Sequence, residues 1–296
     1  MNNIPAVDPS PRRTQVLAAA SAIGMVGSSG ASAARIMGLL CNPQVTARDV
    51  AAVIGTEPAL AARVLRVANS SYYGLSRTVS SIERALLLLG LDAIRGIAAA
   101  ACLDRAVSHS GRHSIVDMRA LVRHSIATAV ASESVARVRH AALAADAFLA
   151  GLLHNLGTAV QLQMDRQGVA AMVAELATDP SVDIKALEAR HAAVGHEECA
   201  GVVFDDWQLP EPLVAACRHH HDPMSAPKQH RTLVALVSMG STMALESGHT
   251  YTLELMPVPR AAMLVALVGA SEQDLDRLDS ELPERVTDLS RGLLES

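Results

Sequence analysis

At 296 residues the chain is long enough for about two domains. Its formal net charge of -5 argues against a general nucleic-acid binder or a membrane-surface protein. Half of the residues are hydrophobic but only 2% are aromatic, so the core must be built from Ala, Leu, Val, Ile and Met, a composition that favours close-packed helices over strands. Cys41, Cys102, Cys199 and Cys217 show no CxxC spacing and sit in apolar stretches; reduced buried thiols are expected. The apolar run Val16 to Val26 is interrupted by Ser21 and Gly24 and falls short of the roughly 20 residues a membrane span requires. Arg12 and Arg13 precede that run, but no clean signal cleavage site follows. A cytoplasmic protein is expected.

In chain order, residues 1–30 are rich in Pro, Ser, Gly and Ala and read as a flexible tail with one short helix. Thr46 with Asp49 forms a variant capping box that opens a helix closed by Gly55. Pro58 starts the next at a favoured first position. A polar loop, Ser70 to Gly74, precedes Ser80-Ser-Ile-Glu83, read as a full capping box for a helix over 82–89, and another helix covers 92–107. The polar stretch 109–114 marks the boundary between a helical subdomain over 31–112 and a second over 113–270. There the pattern predicts helices near 117–138, 146–163, 167–177, 183–191, 195–206, 211–221, 229–247 and 260–268, with Asp146 as the N-cap of the second. A C-terminal helical stretch follows over 271–296, which Pro283 should kink or split. The fold class is all-α, in two helical units.

Twelve histidines are many for this length, and imidazole is the commonest metal ligand. His124 and His154 fall within apolar helices, His196 opens another, and His219-His220-His221 ends a fourth. A lone histidine on an apolar helix is usually a satisfied core residue. Three consecutive histidines on one helix cannot all face one way, because neighbours lie about 100° apart. His140, His191, His230 and His249 are expected at the surface. His221-Asp222 is literally a His-Asp dipeptide, but it precedes Pro223 at a helix end, so Asp222 is expected to end the helix or turn the chain.

Several ordered motifs carry a resemblance that covers about residues 32 to 250. The first half contributes Pro43 to Ile54, Glu57 to Ser71 and Val79 to Gly90. The second contributes Arg123-His-Ser125, Phe148-Leu-Ala-Gly-Leu-Leu-His-Asn-Leu-Gly157, Trp207-Gln-Leu-Pro-Glu211 and Arg218-His-His-His221. On these the chain resembles the HDOD proteins, bacterial signalling or regulatory output modules related to the HD-type metal phosphohydrolases. The resemblance implies that His124 and His154 match the two HD histidines, and that His196 and one of His220 or His221 match later pocket histidines. Asn155 stands where the metal-bridging aspartate of the HD pair would be, and Ser241 where the final HD aspartate would fall.

An Asn carbonyl supplies one neutral oxygen where an aspartate supplies a charge that hard divalent cations require. With both acids absent, no hydrolase activity and no resident cofactor are expected, although a single transition metal on the histidines stays open. His124, His154, Asn155, His196, His220 and His221 are thus expected as a vestigial ligand pocket. The expected function is signal transduction through other signalling proteins or ligand sensing, with no membrane and no nucleic-acid partner. The sequence assigns no oligomeric state. One alternative is a metal-dependent phosphohydrolase or phosphodiesterase acting on a cyclic dinucleotide or another nucleotide through an atypical His-rich site. A second is DNA binding through the helix-turn-helix-like segment Thr46 to Leu65, where only Arg63 and Arg66 offer reading groups and Arg48, Arg77 and Arg84 phosphate contacts. Tyr72 and Tyr73, two of the three tyrosines, share one loop and are candidates for partner binding; the competing reading is that they dock one unit onto the other.

Overall fold

The computed structural model describes residues 11–23, 36–108, 115–254 and 262–294. Among these every regular element is a helix, and the one bridge is an isolated pair between Tyr251 and Glu254. The stretch 109–114, where the domain boundary was expected, lies outside the described residues.

The first unit comprises α2 (36–41), α3 (Ala47–Gly55), α4 (Pro58–Ala68), α5 (Ile82–Leu89) and α6 (Leu91–Ser108). Its boundaries follow local chemistry. Thr46 accepts from the Asp49 N–H while Asp49 reaches back to the Thr46 N–H, the expected box. Glu57 precedes Pro58 at the first helical position. The cap of α5 corrects the sequence reading. Ser81, not Ser80, accepts from the Arg84 N–H at 3.2 Å, which puts Arg84 rather than Glu83 at the third position and leaves no reciprocal box.

In the second unit, α7 (Met118–Arg139) is the central strut, opened by Asp117, whose carboxylate accepts from the Ala120 N–H at 2.9 Å. It packs on α8 (Ala144–Leu153) and α14 (Arg231–Glu246). A Cβ at Gly240 would sit 2.1 Å from Ser132 Oγ, so a small residue is what lets α14 approach α7. This is the structural counterpart of the Ala-rich, aromatic-poor composition. Around this core run α9 (Leu156–Met164), α10 (Arg166–Leu176), α11 (Ile184–His191), α12 (His196–Asp206), α13 (Glu211–His219) and α15 (Ala262–Val268). Leu264 and Val268 of α15 are buried, which makes that stretch part of the core.

Three expectations need correction. The helix expected over 146–163 is two helices, α8 and α9, separated by His154 and Asn155; Asp146 lies within the first turn of α8, and the N-cap is Leu143 without a side-chain cap bond. The N-terminal region is not simply a loose tail: α1 (Pro11–Ile23) packs on α9 and α12, with Arg12 paired to Asp165 and Arg13 to Glu198 at 2.5 Å. Third, α16 (Glu272–Leu294) runs unbroken through Pro283. Leu275, Leu278, Leu282, Val286, Leu289 and Leu293 form one buried stripe against α7 and α4. Each fully buried leucine contributes about 1.5–3 kcal/mol, enough together to outweigh the roughly 3 kcal/mol cost of an interior proline.

One continuous hydrophobic cluster spans both units. The two helices of the helix-turn-helix-like segment belong to it: α4 packs against both α6 and α16. The four cysteines are buried and form no disulfide. The stretch 141–164 is apolar and long enough to cross a membrane, but 83% of it is buried inside the protein.

Candidate functional site: a buried histidine pocket

The break between α8 and α9 sets the site. His154 caps the end of α8 with helical dihedrals (φ -53°, ψ -37°), and the chain leaves the helical register at Asn155 (φ -102°, ψ 11°), which caps the start of α9; both side chains are buried with no exposed surface. α7 brings the fully buried His124, the first turn of α12 brings His196, and the end of α13 brings His220 and His221. α13 stops at His219, and His220, still at φ -65° and ψ -22°, lies with His221 in the turn that follows. Both face the pocket, with ring centroids 4.2 Å apart. His219 turns away to Ser225 Oγ at 2.8 Å. Asp222 caps the next turn, accepting from the Met224 N–H. Ser241 reaches the pocket from α14, with Oγ 3.5 Å from His124 Nε2.

The orientation of the rings is set by their partners. His124 Nδ1 lies 2.8 Å from the His249 carbonyl oxygen, His154 Nδ1 2.7 Å from that of Gly151, and His220 Nδ1 3.0 Å from that of Cys217. A carbonyl only accepts, so each Nδ1 carries the proton. His196 Nδ1 meets the Glu188 carboxylate at 2.8 Å. The opposite nitrogens then point at one another: His124 Nε2 is 3.3 Å from His154 Nε2, and His196 Nε2 is 3.2 Å from His220 Nε2. One ligating nitrogen from each of His196, His220 and His221 lies within 4.8 Å of the others.

Burial holds His154, His220 and His221 well below the ordinary imidazole range, and neighbouring imidazoles push the same way. Burial also lowers His124. For His196 burial acts downward, but the Glu188 carboxylate outweighs it and the net shift is upward. Glu188 itself is driven down to about 2: desolvation would raise it, but His196 and the bonds from the His196 and Gln161 N–H groups prevail.

Several site residues were absent from the sequence reading. Glu188 orients His196 from α11 and is held in turn by Gln161 at 2.9 Å. Glu197, paired with Lys185, accepts from the His221 N–H at 3.4 Å. Glu254 extends its carboxylate to within 3.1 Å of Asn155 Nδ2, 3.8 Å of His124 Nε2 and 3.6 Å of His221 Nε2. Glu197 directly follows a site histidine, a signal that could have found it; Glu254 carries none. His140, His191, His230 and His249 are half-buried rather than exposed, and His249 supports the site through its backbone carbonyl.

Tyr72 and Tyr73 lie elsewhere, in a cleft of about 710 Å³ between the two units. The Tyr72 hydroxyl accepts from Arg285 at 3.1 Å and lies 3.4 Å from Glu133. Both rings are half-buried, which joins the first unit to α7 and α16.

The HD relationship implies a metal, and the residues test that directly. Imidazole nitrogens that share a tetrahedral ion at about 2.0–2.1 Å sit roughly 3.3 Å apart, close to the two spacings here. Ligating histidines characteristically spend their second nitrogen on a carbonyl or carboxylate, as four of these do. His221 Nε2 and Asn155 Oδ1 are buried without hydrogen-bond partners. The set fits an imidazole-preferring ion such as Zn, Fe or Ni, and does not fit Mg or Ca, which require oxygen ligands.

The chain belongs to the HDOD family, whose domain profile matches residues 28–223. Its fold is similar to that of an HDOD domain protein of unknown function from Geobacter sulfurreducens, at 22% identity and a TM-score of 0.78, covering 96% of this chain and 98% of that one. It is also similar to a provisionally named phosphohydrolase of Shewanella amazonensis SB2B, at 21% identity, TM-score 0.70 and coverage of 94% and 98%. A provisionally named signal transduction protein of Marinobacter aquaeolei VT8 matches at 23% identity and TM-score 0.73, over 96% of this chain and 66% of that one. An uncharacterized protein of Treponema pallidum (strain Nichols) is 25% identical over 234 residues; the match covers 78% of this chain but 44% of that relative's length.

Proposed function

We propose that the protein is a regulatory output module that senses a ligand in the histidine pocket, that the ligand is a single transition-metal ion, and that it does not hydrolyse phosphate esters. The observation that carries the reading is the arrangement of four histidines with Nδ1 committed to an acceptor and Nε2 aimed inward. Hydrolysis by HD chemistry needs cations that neutralise phosphate and acidify water, and the two positions that would hold them carry Asn155 and Ser241. The same ion on a mostly neutral imidazole set is suited to reversible occupancy, which a partner protein can read. The signal transduction name of the Marinobacter neighbour agrees with this reading; the hydrolase alternative draws on the Shewanella name.

The test measures metal by elemental analysis in untagged protein, alongside hydrolysis of a cyclic dinucleotide by wild type and Asn155→Asp. About one Zn, Fe or Ni per chain, lost in His220→Ala, with no wild-type turnover, is the expected result. Asn155→Asp places a second carboxylate beside Glu254 and should tighten Mn2+ binding. Robust wild-type turnover would overturn the regulatory reading.

A further inference from the structure

We infer that Glu254 supplies the carboxylate ligand of the histidine site, delivered from the loop after α14 rather than from either HD acidic position. The inference rests on the metal-binding reading above and names a ligand that neither the HD pair nor the histidine spacing contains.

The geometry is specific. Glu254 Oε1 faces His221 Nε2 at 3.6 Å, and Oε2 faces His124 Nε2 at 3.8 Å. Both separations exceed a hydrogen bond, yet the carboxylate is only 9% exposed. It accepts from Asn155 Nδ2 at 3.1 Å, and the buried Tyr251 hydroxyl is its other neighbour. His221 Nε2 and Asn155 Oδ1 remain buried with no partner. One oxygen of the carboxylate is therefore held near His221 and the other near His124 without bonding to either, as ligands of a common ion would be.

The loop that carries it is built to place it. Tyr251 and Glu254 exchange backbone bonds at 3.2 and 3.0 Å, closing a tight turn. Thr252 Oγ1 accepts from the Asp117 N–H at 2.8 Å, tying the turn to the start of α7. The His249 carbonyl accepts from His124 itself. Tyr251 is buried beside His124, with ring centroids 5.3 Å apart. Three anchors within six residues fix the backbone from which Glu254 projects. Asn155 then has a role of its own: its amide donates to Glu254, where an aspartate would repel it.

The experiment titrates Co2+ into the full-length wild-type protein and Glu254→Gln, following visible d–d absorption and affinity. The expected result is at least about a 10-fold loss of affinity in the variant, with a weaker, shifted band as the coordination changes. Glu254→Ala with added acetate is the second arm, since free carboxylate can replace the missing ligand; acetate should restore the band where chloride does not. Circular dichroism without metal should match wild type in both variants. An unchanged affinity and spectrum in Glu254→Gln would overturn this inference alone, and so would a loss that acetate fails to restore. No Co2+ binding by wild type would overturn the metal reading and this inference together.

Discussion

Gly157→Ala is the sharpest single perturbation of the HNLG corner. A Cβ at this position would lie 1.9 Å from the His196 carbonyl oxygen, 2.8 Å from its carbon and 2.9 Å from the Ala200 nitrogen. Carbon contacts are comfortable only near about 3.5 Å. All three neighbours are backbone atoms of α12, so no rotamer change relieves them, and the first turn of α12 must move by more than about 1 Å. Overpacking of this kind costs roughly 1–3 kcal/mol, and a backbone obstacle belongs at the upper end. The helix-propensity gain of about 1 kcal/mol on replacing Gly by Ala opposes it, leaving a net loss of about 2 kcal/mol. For a chain of this size that is a fall in Tm of about 3 °C. Gly55→Ala is the control: nothing lies within 4 Å of its added Cβ, so the same substitution there should leave Tm unchanged or raise it. Thermal melts of both variants are the assay, with Co2+ titration as a second readout because His196 moves with its carbonyl. Equal behaviour of the two variants would refute the close approach of α9 and α12.

Pro283→Ala should raise stability by at least about 1 kcal/mol, since proline inside a helix costs roughly 3 kcal/mol; if α16 were two helices with proline opening the second, the change would be neutral or destabilising, and urea denaturation distinguishes them. Tyr72→Phe removes the hydroxyl that meets Arg285 and Glu133 and should cost about 1 kcal/mol, read as a Tm fall of about 1–2 °C; an unchanged Tm would free the loop for a role outside the fold. Glu188 is depressed to about 2 from 4.5, so its stabilisation is complete above pH 4.5 and disappears as pH falls toward 2. Urea midpoints of wild type and Glu188→Gln should therefore converge across that window, and a gap independent of pH would refute the Glu188–His196 pairing.

Much of the helical framework was legible because its ends are written in local chemistry. Thr46, Asp49, Pro58 and Gly90 act within one turn of themselves, and a sequence reader sees the same neighbours the backbone does. The break at His154 and Asn155 was not legible, because the apolar residues on either side continue a single helical pattern and only the packing of α9 on α12 shows where the chain turns. The angular argument on the three consecutive histidines held, since His219 turns away to Ser225, but it could not tell that both His220 and His221, in the turn after α13, face the pocket. His124, His154 and His196 were placed from the order of motifs rather than from any property of the histidines themselves.

Glu254 marks the limit of such reading. It lies 99 residues from Asn155 in the chain, on a turn with no helical or strand pattern, and neither composition nor spacing distinguishes it from other glutamates. Loss of an aspartate from the HD pair looks in sequence like loss of the site's negative charge. A cation responds to where an oxygen sits, not to which element carries it. The fold places one carboxylate of Glu254 where Asn155 donates to it and two imidazoles flank it. The inference of a dead site from Asn155 and Ser241 therefore covers the hydrolytic chemistry of hard metal pairs, which needs several acidic oxygens. It does not extend to binding, because a carboxylate absent from the motif stands in the pocket at Glu254.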